Sequence, residues 1–409
     1  MNNRMDRTKL QIGTYYLREF AHTEAHIRDA AACGIDFFIC TSTDTDMLDL
    51  FHRYGLGAVA YGVVPRWFGG DGSKAGGYDA QFPREMFTSG AASFTDHPAI
   101  WGMDLVDEPS SLDFPGIADR FVLTQKLFPN QFPYVNLYPN YASVAENTDA
   151  QKVNQLGTPS YAEYIDRYCA EVPADYISYD YYCYAAGIPR AYENLRIVSE
   201  ACRRTGRQMW IILQVNSRNP EKWISADNLR FQAFTSMAFG AEVISWACYT
   251  SGWWHNQVLD NQGEKTQQYD KLKAVNAELH LIGTEYMKYR NTSAHMIGFD
   301  GTEWLSVYNG TSADALDTGV FHGVREASGK PLIIGQMSAR NGDGSTALML
   351  ADASDPYGTD STPRDICFRA EGKFVRALGG NGYIPLQQDE DGVYHVSLAP
   401  SAGVLITAR

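Results

Sequence analysis

Asp107 and Glu108 stand side by side where an apolar run, Trp101-Gly-Met-Asp104-Leu-Val106, gives out, and Pro109 follows at once. Two adjacent carboxyls closing a strand repel and partly desolvate each other. That raises one pKa toward the range a general acid needs at neutral pH. A capped turn with a solvated carboxylate is the plainer alternative. A third carboxylate, Asp180, closes the run Ser178-Tyr-Asp180-Tyr-Tyr182; it either joins the chemistry or bonds structurally to loop amides. Between these two lies Asn136-Leu-Tyr138-Pro139-Asn140-Tyr141, which supplies Asn136 and Tyr138 as candidate binding groups. The run Trp210-Ile-Ile-Leu-Gln214 ends in an amide, which can hydrogen-bond but carries no charge.

Aromatic residues accompany these run ends, in a chain with 8 Trp, 25 Tyr and 19 Phe. Tyr and Trp present flat apolar faces with a polar tip, which suits stacking on sugar rings. Tyr15, Trp67, Tyr182, Trp246 and Trp253 are the candidates, with core filling as the alternative, for Trp246 in particular. Arg18 and Glu19, just after the first run, could face the same mouth. Other signals fail on context. Gly70-x-Gly72-x-x-Ala75 has the letters of a dinucleotide fingerprint, but glycines and Pro83 follow it instead of a helix. His22 and His26 have the spacing of a zinc-protease pair, yet Thr stands at 23 where Glu would be needed. There is no GxSxG elbow and no phosphate-binding loop. Asn291 and Asn309 head glycosylation sequons by letter alone.

The elements that must position these residues can be read from apolar patterning. Eight short runs, Leu10–Tyr16, Phe37–Thr41, Gly57–Val64, Ile100–Val106, Tyr134–Tyr138, Tyr176–Tyr181, Met209–Val215 and Val243–Cys248, are nearly continuous in apolar residues. Parallel strands covered on both faces have that pattern. Helical patterns separate them. Ser160-Tyr-Ala-Glu163 reads as a capping box, Pro115 suits a first turn, Ser225 caps a helix ending at Gly240, and Thr266 caps one ending at Gly283. Eight strands alternating with helices over about 240 residues predict a (β/α)8 TIM barrel rather than a doubly wound sheet, and place the chemistry at the strand ends. From about residue 290, short segments separated by Gly, Asn, Asp and Ser replace the alternation: 303–308, Pro331–Met337, Thr346–Leu350, Lys373–Leu378, Val393–Leu398 and Gly403–Thr407. These predict a small all-β antiparallel sandwich. The expected domains are 1–288, a catalytic barrel, and 289–409, a structural sandwich.

Composition excludes several partners. With 409 residues, 44% of them hydrophobic, the chain has ample core, and its formal net charge of −14 repels phosphate backbones and anionic lipid. No apolar run approaches the ~20 residues of a membrane helix. The start, MNNRMDRTKLQIGTYY, has no apolar region ahead of a cleavage site, so a cytoplasmic chain is expected. Seven scattered cysteines without a CxxC predict free thiols, not a disulfide frame or a zinc site. No metal or organic cofactor is implied, and a homo-oligomer is left open.

The stretch His97-Pro98-Ala99-Ile100-Trp-Gly102 leading to Asp107-Glu108-Pro109 resembles the fourth-strand region of clan A glycoside hydrolases, where Asn-Glu-Pro or Asp-Glu-Pro carries the acid/base Glu. Asn136-Leu-Tyr-Pro-Asn140, Ser178–Tyr182, Phe239-Gly240-Ala241 and Gly263–Tyr269 look similar to bacterial beta-galactosidase-like members. The resemblance covers about residues 10–285, and the remainder looks like the small sandwich that often ends such enzymes. It implies a glycoside hydrolase that cuts small glycans or glycosides, with a carbohydrate substrate and Glu108 as general acid. One position departs from the pattern. Clan A enzymes carry the nucleophilic Glu at the end of strand seven, where Gln214 stands here. Three readings follow: Asp180 serves as nucleophile or base; Asp107 and Glu108 act as the adjacent pair of substrate-assisted hexosaminidases; or the chain binds carbohydrate without cutting it.

Overall fold

The computed structural model describes the chain except residues 1–3, 62–66, 68–73, 91–95, 143–154, 251–252, 300–312 and 373. The eight apolar runs form a closed parallel barrel: β1 (Gln11–Tyr15), β2 (Phe37–Thr41), β3 (Gly57–Ala60), β4 (Ile100–Asp107), β5 (Phe132–Leu137), β6 (Tyr176–Tyr181), β7 (Gln208–Gln214) and β8 (Ala241–Ala247). They pair in chain order, and β8 closes on β1 through Ile12–Ile244 and Thr14–Trp246. Helices cover the outside: α1 (Glu24–Ala32), α2 (Thr45–Tyr54), α3 (Tyr78–Gln81), α4 (Arg84–Gly90), α5 (Phe114–Leu127), α6 (Tyr161–Glu171), α7 (Cys183–Ala186), α8 (Ile188–Thr205), α9 (Ala226–Ala238) and α10 (Gln267–Tyr286). Because side chains fill the inside as well, the strands are buried on both faces, which is why they lack polar alternation.

Ser160, Ser225 and Thr266 cap their helices as expected, but the reciprocal capping box forms at Ser225 and Asn228, and Ser160 with Glu163 makes only one half of one. Ser160 accepts from the Glu163 amide and Ser225 exchanges bonds with Asn228, while Thr266 accepts from the Gln268 amide. Some boundaries differ from expectation. β5 begins at Phe132 and runs through Pro133, which pairs with Met103. β3 stops at Ala60, and residues 62–64 of the expected run lie outside the described residues. α10 runs past Gly283 to Tyr286. Gly283 is not a stop signal: a Cβ there would sit 2.7 Å from the Leu10 Cβ, so the missing side chain lets the helix press against the chain entering β1.

After α10 come β9 (Tyr289–Ile297), β10 (Phe321–Glu326), β11 (Leu332–Ala339), β12 (Thr346–Asp352), β13 (Arg364–Ala370), β14 (Val375–Gly379), β15 (Gly382–Ile384), β16 (Gln387–Gln388), β17 (Tyr394–Leu398) and β18 (Gly403–Ala408). They form a six-stranded antiparallel sheet, β15-β14-β18-β12-β11-β9, and a four-stranded one, β10-β13-β17-β16. The fold is thus a TIM barrel followed by a β-sandwich. The expected strand 303–308 lies outside the described residues. β9 and β13 were not legible because each buries a polar residue: Asn291 on β9, and on β13 Arg364, whose guanidinium pairs with Asp352 at 3.3 Å and Asp360 at 2.9 Å.

The six-stranded sheet is apolar on both faces, with a period of two. Leu332, Ile334, Leu348, Leu350, Val404 and Ile406 pack toward the four-stranded sheet, whereas Ile333, Met337, Ala347, Met349 and Leu405 join the barrel's core. The layer between is α9, which touches β11, β12 and β18 as well as β7 and β8. Being covered on both sides, it has no amphipathic stripe. Gly335 makes the approach possible, because a Cβ there would lie 2.1 Å from the Ala238 carbonyl oxygen. Among the described residues no helix is long and apolar enough to cross a membrane, and all seven cysteines are free thiols.

Candidate active site

Alternation along the strands places Phe132, Tyr134 and Asn136 of β5 on one face, with Tyr176, Ser178 and Asp180 of β6 and Trp210 and Ile212 of β7 beside them. The lower layer is aromatic. Trp210 stacks on Tyr176 at 4.2 Å between ring centroids, and the Phe132 ring meets Trp210 edge-on at 5.4 Å. A polar ladder rises above it. Tyr134 Oη and Ser178 Oγ are 3.0 Å apart, and Ser178 donates to Asn136 Oδ1 at 2.9 Å. Asn136 Nδ2 then donates one hydrogen to Asp107 and one to Asp180, both at 3.0 Å. Tyr141 Oη adds a longer contact of 3.4 Å to Asp180.

Asp107 is the last residue of β4, and its amide donates to the Trp67 carbonyl. Glu108 follows in the left-handed region, φ 50°, with its amide donating to the Asn136 carbonyl at 2.8 Å. That backbone costs a non-glycine residue roughly 1–2 kcal/mol and persists only because the neighbours fix it. Tyr164 secures the next link by donating to the Pro109 carbonyl at 2.7 Å. The turn aims Glu108 at the same space as Asp107 and Asp180. That space is a cavity of about 250 Å³ walled by Tyr15, Tyr141, Tyr182, Trp253, Trp254 and Ile212. The sequence reading did not single out Tyr141 and Trp254. Their signals were adjacency to the Asn136 run and to Trp253, which is weak because neither residue lies on a strand.

The three carboxyls do not share their surroundings equally. Asp107 and Asp180 each accept from Asn136, which favours their charged forms. Among the described residues the Glu108 carboxyl has no hydrogen-bond partner, and burial, then the charges of Asp180 and Asp107, push its pKa well above the usual carboxylate range. Asp180 is pushed up to about 7, by burial first and by Asp107 second, with Asn136 and Tyr141 pulling the other way. Glu108, without the hydrogen bonds that hold down the pKa of Asp180, is therefore the carboxyl best placed to keep its proton at neutral pH.

This has a consequence for stability. A carboxyl raised in the fold is protonated there while its unfolded counterpart is ionised, so stability falls as pH rises above the ordinary Glu value of 4.5. Glu108→Gln removes that loss. We expect the variant to exceed wild type by about 0.5–2 kcal/mol at pH 8, with the gain vanishing below about pH 4. Denaturant midpoints at the two pH values test it, and a gain independent of pH would rule out the electrostatic cause.

Of the residues expected at the site, Asp107, Glu108, Asp180, Asn136, Tyr15, Tyr182 and Trp253 line the one cavity. Four do not, and each has a physical reason. Trp246 is fully buried away from it, its Nε1 donating to Asn276 of α10 at 3.0 Å, so it is a core residue and no sugar floor. Tyr138 is buried against the Tyr164 ring. Gln214 is spent on structure: its Oε1 accepts from the Tyr184 amide at 3.1 Å and its Nε2 donates to the Asn216 carbonyl at 2.9 Å. β7 instead gives the cavity the alkyl group of Ile212. The Trp67 carbonyl accepts from the Asp107 amide, while among the described residues its ring packs on Tyr78 and Phe82 and not on the cavity. Among the described residues none beyond 290 lines the cavity, and no cluster of His, Cys, Asp and Glu could hold a metal ion.

No family model matches the chain, and no curated protein matches it. Among solved structures, a family 39 glycoside hydrolase from the gut symbiont Bacteroides cellulosilyticus superposes with a TM-score of 0.51 at 12% identity, over 98% of this chain and 82% of that one. A glucosidase from Croceicoccus marinus has a TM-score of 0.46 at 9% identity, over 98% and 96% of the two chains. A family 30 subfamily 8 xylanase from Clostridium acetobutylicum has 0.45 at 10% identity, over 98% and 95%. The first likeness spans nearly the whole chain, and at this identity it shows the fold alone. The other two are too loose a fit to add to it.

Proposed function

We propose that the chain is a glycoside hydrolase acting on small glycans or glycosides, with Glu108 as general acid and Asp180 as the second carboxyl. The observation that carries this reading is the cavity itself. Three carboxyls from β4 and β6 meet at the C-terminal mouth of a TIM barrel, where such barrels keep their chemistry, between tyrosine and tryptophan walls suited to a sugar ring. The unequal hydrogen bonding supports a division of roles. Glu108, protonated, donates its proton to the glycosidic oxygen as the bond to the anomeric carbon breaks. Asp180, kept partly ionised by Asn136, stabilises the oxocarbenium-like centre and either attacks it or takes the proton of an attacking water. Neither step involves β7, whose cavity residue Ile212 is inert.

A second reading is favoured by one observation, that Asp107 lines the same cavity as Glu108 and shares Asn136 with Asp180. In it the substrate's own 2-acetamido group attacks, Asp107 orients that group, and Glu108 protonates the leaving oxygen. A panel of aryl glycosides tests both: gluco-, galacto-, manno-, xylo- and 2-acetamido-sugars in each anomeric form. Hydrolysis of a plain hexoside is expected. Activity confined to acetamido sugars would select the second reading. No hydrolysis, combined with sugar binding by the chain, would leave a carbohydrate-binding protein.

A further inference from the structure

A larger chamber, about 630 Å³, opens beside the carboxyl-lined cavity on the β1–β2 side of the mouth. Trp253 lines both spaces, with its ring edge-on to Tyr15 at 6.2 Å and to Tyr16 at 5.6 Å between centroids. At the rim, Tyr16 and Cys40 hold left-handed backbone, φ 59° and 62°, which is the kind of local strain that gathers at binding sites. Three polar groups in this chamber have no partner among the described residues. Arg18 and Glu19, successive exposed residues after β1, both line it, and among the described residues neither side chain has a hydrogen bond or an ion pair, even with the other. Ser42 Oγ, in the wall, is buried with no partner among the described residues. A guanidinium fork, a carboxylate and a hydroxyl, set around aromatic faces, are the groups that hold vicinal hydroxyls and the C–H face of a sugar. The two side chains carry opposite charges and together contribute no net charge to the chamber.

We propose that this chamber binds a second sugar ring, so that the chain takes neutral glycans of at least two units, with Arg18 donating to that ring's hydroxyls and Glu19 accepting from them. The proposal rests on the glycoside hydrolase reading, and two separate measurements keep their failures apart. The first is calorimetry on Glu108→Gln protein with gluco-, galacto-, manno- and xylo-oligosaccharides of one to four units. Affinity should rise about 10-fold or more from one unit to two. Arg18→Ala and Glu19→Gln, each combined with Glu108→Gln, should each remove about 10-fold on the disaccharide, the scale of one hydrogen bond to a charged group. The second is kcat/KM of the unmodified chain and of the two single variants on aryl glycosides of one and two sugars. The ratio of the longer to the shorter should fall in both variants. Length-independent binding, or variants that bind both lengths as the parent does, would overturn the chamber, whether or not aryl glycosides are cut. A length gain sensitive to Arg18 and Glu19 without any hydrolysis would keep the chamber and remove the hydrolase reading. Neither binding nor hydrolysis would overturn both.

Discussion

Replacing Glu108 by Gln should lower kcat/KM on glycosides with unactivated leaving groups by about 10²–10⁴-fold, the usual worth of general acid catalysis. The substitution is nearly isosteric, and the Glu108 carboxyl loses no hydrogen bond among the described residues, so the fall reports the proton and not a collapsed site. Aryl glycosides with acidic phenol leaving groups need less protonation, so their bond-breaking step should suffer far less. The pH profile gives a second readout. Glu108 must be protonated to act, and its raised pKa should set the alkaline limb of the profile well above the ordinary Glu value of 4.5. Glu108→Gln has no such proton and should lose that limb. Near-wild-type turnover of unactivated glycosides would take Glu108 out of the mechanism.

The barrel was legible in the sequence because both of its signals are local. Strands covered on two faces are short apolar runs, and Ser160, Ser225 and Thr266 mark helix starts by their own hydroxyls. The sandwich was less so. β13 hides behind the buried Arg364, whose partners Asp352 and Asp360 lie elsewhere in the chain. At the site, the carboxyls could be picked out because each closes a strand. Side-chain direction could not. Trp246 and Asp180 both lie at strand ends among aromatics, yet the first is bound to Asn276 outside the barrel and the second faces the cavity. Gln214 and Ile212 are two residues apart on β7, and only the backbone path decides which one the cavity meets. The unequal treatment of the three carboxyls was likewise out of reach, because it depends on where the two N–H bonds of Asn136 point.

Asp180→Asn and Asp107→Asn should separate the two mechanisms that remain. On a plain hexoside, Asp180→Asn is expected to cost about 10²–10⁴-fold, since an amide can neither attack the anomeric carbon nor take a proton from water. Asp107→Asn keeps an oxygen for Asn136 and should cost much less, about 10-fold. The pH profile adds a readout that mere misplacement would not give. Of the two neighbouring charges that raise the Glu108 pKa, Asp180 contributes more and Asp107 less. Removing the Asp180 charge relieves that repulsion, lets Glu108 ionise more easily and moves the alkaline limb to lower pH; removing the Asp107 charge should move it less. The substrate-assisted alternative predicts the reverse order of damage: activity only on 2-acetamido sugars, Asp107→Asn as harmful as Glu108→Gln, and Asp180→Asn largely active. Asn136 holds both aspartates at the same 3.0 Å, so distance alone does not choose between them. The choice of Asp180 rests on its deeper burial and on a pKa near 7, which lets it exchange between base and acid forms at neutral pH. An Asp180→Asn chain that still cuts plain hexosides at close to the wild-type rate would end that assignment.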